Sequence, residues 1–257
     1  MSGQHQIVPV QLIEPLEGGR HLIPASAGEV RPAAGALEQG VPGEDHVAAA
    51  PGPGKHGGHG ADKKEGPVRR VNGAFLQAAG QAARLRANKI TFVKGDILKI
   101  KAEAIVNAAN SSLAPGGGVC GIIHGAAGPE LARECASLGG CETGGARITK
   151  GYRLEQKYVI HAVGPVYDGT ESCAGLLASA YKSSLDLAKE KGLHSIAFPA
   201  ISTGIFGYPK KEAAQVALGA LTQWFRENAS YGMTIYMVAY DQETFDIYKQ
   251  FAPEKKS

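Results

Sequence analysis

Two asparagines, a cysteine and a histidine fall at short intervals in one glycine-rich stretch of this chain, Ala104 to Gly128, AIVNAANSSLAPGGGVCGIIHGAAG. Asn107 and Asn110 stand where an apolar run ends, and a carboxamide at a strand end needs a partner that a ligand could supply. Pro115 stiffens the turn that follows. Gly116, Gly117 and Gly118 then remove every Cβ, so that backbone N–H groups can close on something bulky and electron-rich. From Val119 the spacing of Val119, Ile122, Ile123 and Ala126 predicts a helix whose positive end faces the glycines, an arrangement that suits a phosphate. Cys120 and His124, one helical turn apart, bring a thiol and an imidazole to the same rim.

Two phosphate-binding motifs can be tested against this loop. Gly116, Gly118 and Gly121 satisfy G-x-G-x-x-G in letters, but the acidic residue required roughly 20 residues further on, at the end of a second apolar strand, is missing. Glu134 falls instead in LARECASLGG, which reads as helix and turn. No Lys-Ser or Lys-Thr follows the glycines, so the loop lacks the cation of a P-loop. A second loop, AISTGIFGY at Ala200 to Tyr208, supplies further small residues. Ser202, Thr203, Gly204 and Gly207 offer hydroxyls and open amides for wrapping a diphosphate from the other side. Phe206 has no amphipathic reason to be there, so it is either a lid over the ligand or a wedge into the core.

The elements that must position these loops follow from periodicity. Strands are expected at Ile90–Val93, Ala104–Val106, Ala146–Thr149, Tyr158–Val163, Ser195–Pro199 and Thr234–Tyr240. Helices are expected after the first glycine loop, at Pro129–Leu138 with proline in its first turn, at Cys173–Lys191, at Lys210–Asn228 and from Asp241 to Phe251. Strands alternating with helices imply a mostly parallel sheet covered on both faces, with ligands bound outside the strand C-termini. Asp96, Asn110 and both glycine loops fall at such ends. His161, in an apolar strand, reads as a core residue rather than a base, and Trp224 as core.

Composition divides the chain. Up to Asn88 there is one aromatic residue, Phe75, whereas all nine tyrosines, the tryptophan and all four cysteines lie beyond it. Residues 1–70, rich in Gly, Pro and Ala, are expected to be a disordered low-complexity tail, residues 71–88 a short helix or linker, and 253–257 a flexible end. A mis-assigned upstream start is one reading of the change at Asn88. His56 and His59 in KHGGHG read as incidental rather than metal-binding. The net charge of +3 comes from dispersed residues, with no basic stripe of the kind nucleic acid requires. No apolar run reaches the roughly 20 residues of a membrane span, and MSGQHQIVPV lacks a signal pattern. A cytoplasmic monomer is expected. Cys120, Cys135, Cys141 and Cys173 show no zinc spacing, so thiols are expected and neither metal nor cofactor.

Five segments in order, GDI at Gly95–Ile97, VNAAN at Val106–Asn110, GGGV at Gly116–Val119, IHGAAG at Ile123–Gly128 and ISTGIFGYP at Ile201–Pro209, resemble the signature motifs of the macrodomain family. The resemblance runs from about residue 89 to 252 and implies a three-layer α/β/α fold with a central mixed, mostly parallel sheet. It implies binding of ADP-ribose, and in many members hydrolysis of ADP-ribosyl esters on proteins or deacetylation of O-acetyl-ADP-ribose. Carried onto this sequence, Asp96 would accept a hydrogen bond from the adenine amino group and Ile97 would supply a backbone contact. An aromatic residue, Tyr240 or Phe245, would stack on adenine. Asn110 would hold the distal ribose. Gly117, Gly118 and Val119 would clamp the diphosphate together with Ser202, Thr203, Gly204, Ile205 and Phe206. The hydrolytic subgroup often has an aspartate directly after GGGV and a histidine four residues later. Here the histidine is His124, and the aspartate position is Cys120.

Overall fold

A computed structural model of the chain describes residues 6–10 and 87–252. The expected helix at 71–87, the KHGGHG histidines and the C-terminal residues 253–257 lie outside the described residues. Seven strands form one sheet: β1 (Gln6–Val10), β2 (Lys89–Lys94), β3 (Ala104–Ala108), β4 (Ala146–Lys150), β5 (Tyr158–Ala162), β6 (Ser195–Pro199) and β7 (Thr234–Ala239). Their order is β1-β2-β7-β6-β3-β5-β4. The five inner strands are parallel, while β1 and β4 run antiparallel at the edges. At residues 6–10 β1 departs from the expectation of a disordered tail over 1–70, because Gln6–Val10 pairs in register with Ile90–Lys94. Its Pro9 is tolerated because an edge strand has one row of N–H groups without ladder partners.

Among the described residues five helices cover the sheet: α1 (Gly118–Ala127), α2 (Pro129–Ser137), α3 (Glu171–Glu190), α4 (Lys210–Glu227) and α5 (Gln242–Lys249). The pleat sorts the strand residues between two cores. Val106, Ile160 and Phe198 pack with Tyr181, Leu185, Trp224 and Tyr248 beneath α3, α4 and α5. Ile105 and Val159 pack with Ile123, Ala127 and Leu131 beneath α1 and α2. Trp224 is fully buried in the first core, as its helical spacing predicts, and its indole N–H donates to Asp186 Oδ1 at 2.8 Å.

One helix turns differently from its expected face. Ile122 is 49 % exposed, and α1 buries Cys120, Ile123, His124 and Ala127 instead. The reason is steric: α1 begins one residue early, at a Gly118 with φ of 58°, and Gly121 lies against the loop before it. A Cβ on Gly121 would stand 2.6 Å from the Gly116 carbonyl oxygen. Among the described residues, no helix is long and apolar enough to cross a membrane.

Candidate functional site

Four adjacent parallel strands, β2, β7, β6 and β3, end on the same edge of the sheet. Asp96 follows β2, Tyr240 follows β7, the AISTGIFGY loop follows β6 and the Asn110 to Gly117 loop follows β3. With strands about 4.8 Å apart, the three intervals span about 14 Å, so the edge suits an elongated ligand.

At the β2 end, Asp96 caps a 3₁₀ turn at Ile97–Lys99, one carboxylate oxygen accepting from Leu98 N–H at 3.0 Å. Among the described residues the other oxygen has no hydrogen-bond partner. The Ile97 side chain is core, which leaves its backbone as its only means of contact. Tyr240 is 85 % exposed beside this turn, whereas Phe245 is 1 % exposed in the core. Of the two aromatics, only Tyr240 presents a free ring face.

The β6 loop is folded on itself. Thr203 Oγ1 donates to Ala200 O at 2.9 Å, Tyr208 N–H to Ser202 O at 3.0 Å and Gly207 N–H to Gly204 O at 2.9 Å. Ser202 holds a left-handed φ of 67° with a buried hydroxyl that has no partner, the kind of local strain that persists where surrounding structure imposes it. Ile205 is almost fully exposed and Phe206 half-buried at the rim, so Phe206 is no core wedge. Gly164, which sequence spacing did not single out, makes this loop possible. A Cβ there would lie 2.3 Å from Ser202 Oγ and 2.5 Å from Ile201 Cγ2. Its signal was the Gly-Pro pair closing the β5 strand.

In the β3 loop the Asn110 carboxamide organises the turn. Its Oδ1 accepts from Ser112 Oγ at 2.8 Å and Ala114 N–H at 3.1 Å, and its Nδ2 donates to Ala114 O at 2.9 Å. Both oxygen lone pairs are used, so one N–H remains to face a ligand. Leu113, also unremarked in the sequence, is fully buried at φ 59° and plugs the loop onto the core. Gly117 caps α1 without a side-chain bond and the first turn holds no acidic residue, so the amides of Gly118 and Val119 are among the helix N–H groups without an intrahelical partner.

Asn107 corrects the sequence expectation. It is not at the strand end but inside β3, fully buried, with Nδ2 3.1 Å from His161 Nδ1 and 3.5 Å from Cys120 Sγ. The expectation that both asparagines reach a ligand took Asn107 as the end of the apolar run. In the fold β3 continues for one more residue. Cys120, 4 % exposed, is the floor of the loop and lies 3.7 Å from Ala114 O. His124 is tucked beneath α1 at 7 % exposure with neither ring nitrogen hydrogen-bonded, and burial lowers its pKa. It lines a cleft of about 540 Å³ that also touches Gly116 and Arg153.

His124, Cys135 and His161 bring possible ligand atoms within 4.8 Å of one another. Both nitrogens of His161 are nevertheless engaged, Nδ1 with Asn107 and Nε2 with Thr149 Oγ1 at 2.9 Å. Burial pushes the Cys135 thiol up to about 11. A metal ion would have to displace satisfied buried bonds and bind an unwilling thiol, so the chemistry of this trio is that of a core.

Residues 106–217 match the Macro domain family. Over 166 residues the chain is 47 % identical to a macro domain-containing protein of Methanosarcina mazei, covering 64 % of this chain and 88 % of that one. Over 167 residues it is 51 % identical to the mouse protein named ADP-ribose glycohydrolase MACROD1, covering 64 % of this chain and 52 % of that one, so it spans about half of that relative's length. A Trypanosoma brucei macrodomain solved in complex with ADP-ribose superposes with a TM-score of 0.59 at 40 % identity, over 63 % of this chain and 68 % of that one.

Proposed function

This chain belongs to the macro domain family, and from that premise we propose that its sheet edge binds ADP-ribose and that the site hydrolyses ADP-ribosyl esters. The observation that carries the reading is the order of groups along the edge. A hydrogen-bond acceptor with a free aromatic (Asp96, Tyr240), an amide-rich loop (Ser202 to Phe206), and a carboxamide with helix N-terminal amides (Asn110, Gly117, Gly118, Val119) follow one another. Adenine, diphosphate and distal ribose follow one another in ADP-ribose in the same order.

The diphosphate is bound by main-chain amides and the α1 N-terminus rather than by lysine or arginine. Asn110 gives its remaining N–H to the distal ribose, and Phe206 walls that sugar. Water, held by the substrate's own diphosphate, attacks the anomeric carbon. The C–O bond to the acyl group breaks, the carboxylate leaves with the bonding pair, and the water proton is released to solvent or phosphate. Positioning and fixed dipoles supply the rate. Cys120 lines the pocket and is no nucleophile, because a covalent step would need an activated thiolate. His124 orients a ribose hydroxyl or the water when the loop closes on the ligand.

The substrate class we favour is mono-ADP-ribose on acidic side chains, with O-acetyl-ADP-ribose as a second ester in the same pocket, where water adds to the acetyl carbon, the acyl C–O bond breaks, and the sugar oxygen leaves with the bonding pair and takes up a proton. The alternative is a non-catalytic reader of ADP-ribosylated partners, which the thiol in place of a carboxylate at Cys120 favours. The setting is a cytoplasmic monomer, in which all four cysteines stay as free thiols. Incubation with a glutamate-ADP-ribosylated protein and with O-acetyl-ADP-ribose, beside calorimetric titration of ADP-ribose, separates these readings. Release of ADP-ribose supports the hydrolase, and tight binding without release from either ester supports the reader.

A further inference from the structure

A chain of buried polar groups crosses three strands beneath α1 and ends on the proposed site. Thr149 on β4 is 2 % exposed, and His161 on β5 and Asn107 on β3 are fully buried, as neighbours facing one core. The directions of the bonds follow from the Asn107 amide, whose Nδ2 faces His161 Nδ1 and makes that nitrogen the acceptor, while Asn107 Oδ1 stays buried without a partner. Val159 O, 3.4 Å from Thr149 Oγ1, can only accept, so the threonine hydroxyl donates to it. Thr149 Oγ1 then accepts from His161 Nε2–H at 2.9 Å, and the imidazole presents a bare Nδ1 to the Asn107 amide at 3.1 Å. The second Asn107 N–H donates to Cys120 Sγ at 3.5 Å, and the thiol donates on to Ala114 O at 3.7 Å. That carbonyl is also the acceptor for Asn110 Nδ2 at 2.9 Å. Donation therefore leaves Asn107 in both directions, through His161 and Thr149 to the edge of the sheet and through Cys120 to Ala114 O, the carbonyl on which the Asn110 carboxamide also closes.

We propose that His161, which no ligand reaches, is a positioning residue for the site: as a neutral Nε2–H tautomer it fixes the Asn107 amide, and through it the Cys120 thiol and the Ala114 carbonyl on which Asn110 closes. This rests on the reading of the two loops as an ADP-ribose site. A buried imidazole that stays neutral suits the task, since protonation would put a second donor against the Asn107 N–H and force the amide to flip. His161 is kept neutral by burial, which pushes its pKa down to about 3. Apolar packing alone would not need a ring with both nitrogens bonded.

The test compares His161→Leu, which keeps an apolar volume, with His161→Gln, which keeps one acceptor and one donor. Each is read by ADP-ribose calorimetry, by ester turnover with kcat and KM separated, and by melting temperature. The expected result is a fall of about tenfold or more in kcat and a weaker ADP-ribose affinity in His161→Leu, with His161→Gln restored to within about threefold of the parent. Equal losses in both folded variants, or none in His161→Leu, would overturn the proposal. Nitrogen-15 NMR of the unmodified chain gives a readout independent of ligand and of variant folding. Nδ1 should resonate as unprotonated and Nε2 as protonated from pH 5 to 8, and the opposite tautomer or an imidazolium would overturn it. Should the parent bind no ADP-ribose, the reading of the loops fails, while the tautomer still decides the relay.

Discussion

Cys120 is the third residue of α1, buried between an amide donor on Asn107 and a carbonyl on Ala114. The first turn of a helix favours negative charge, and the Asn107 N–H would serve a carboxylate better than a thiol. Cys120→Asp should therefore raise ester hydrolysis by about 10² and leave ADP-ribose affinity within about threefold. Unchanged turnover in a folded Cys120→Asp would mean that this position does not act on water. Asn110→Ala removes both the proposed ribose contact and three turn bonds, so affinity should drop by about tenfold to a hundredfold and turnover should be lost, as measured by calorimetry and ester release. Spacing and resemblance together singled out Asn110, Cys120 and the glycines, and the structure brings them together in one loop at the C-terminal end of β3. Asn107 was misread, since a strand's last residue cannot be located from apolarity when the next side chain is a buried amide. His161 read correctly as core, but its bonds depend on strands β3 and β4, which its own sequence neighbourhood does not contain.

The same histidine ties local chemistry to the behaviour of the elements around it. Its pKa falls from an ordinary 6.5 to about 3 in the folded chain, so between those values the unfolded chain carries the extra proton. Stability from His161 is complete above pH 6.5 and is lost as pH falls toward 3, by up to about 1.4 kcal/mol per unit. Burial lowers the pKa of His124 as well, which adds in the same direction. Melting temperature should fall on acidification from pH 7 to 4, and less steeply in His161→Gln. Helix α1 offers a second test at this scale. Gly121→Ala drives a Cβ into the Gly116 carbonyl, backbone against backbone, and should displace the loop and weaken ADP-ribose binding by about tenfold or more. Gly125→Ala meets nothing within 4 Å and should stabilise the helix by up to about 1 kcal/mol, seen as a raised melting temperature. The helices were legible in extent to within about two residues, the ordinary spread at helix ends. The face of α1 was not, because its rotation is set by the approach of Gly121 to the loop.

Across the whole molecule, the proposed site lies on one edge of the sheet, and among the described residues the antiparallel edge strand β1 pairs with β2 alone. Deleting residues 1–86 should lower the melting temperature by removing β1 and leave ADP-ribose affinity within about twofold, since no residue of the deleted part is placed in the site. The parallel order of the inner strands was legible from the alternation of strand and helix. The pairing of β1 was not, because five residues in a Gly- and Pro-rich segment carry no periodic signal of their own. The central claim is that this edge holds ADP-ribose. Isothermal titration of the intact chain with ADP-ribose tests it most directly: the account predicts one saturable site with a Kd on the order of micromolar, weakened by Asn110→Ala. Absence of any heat or melting shift at millimolar ADP-ribose would contradict it.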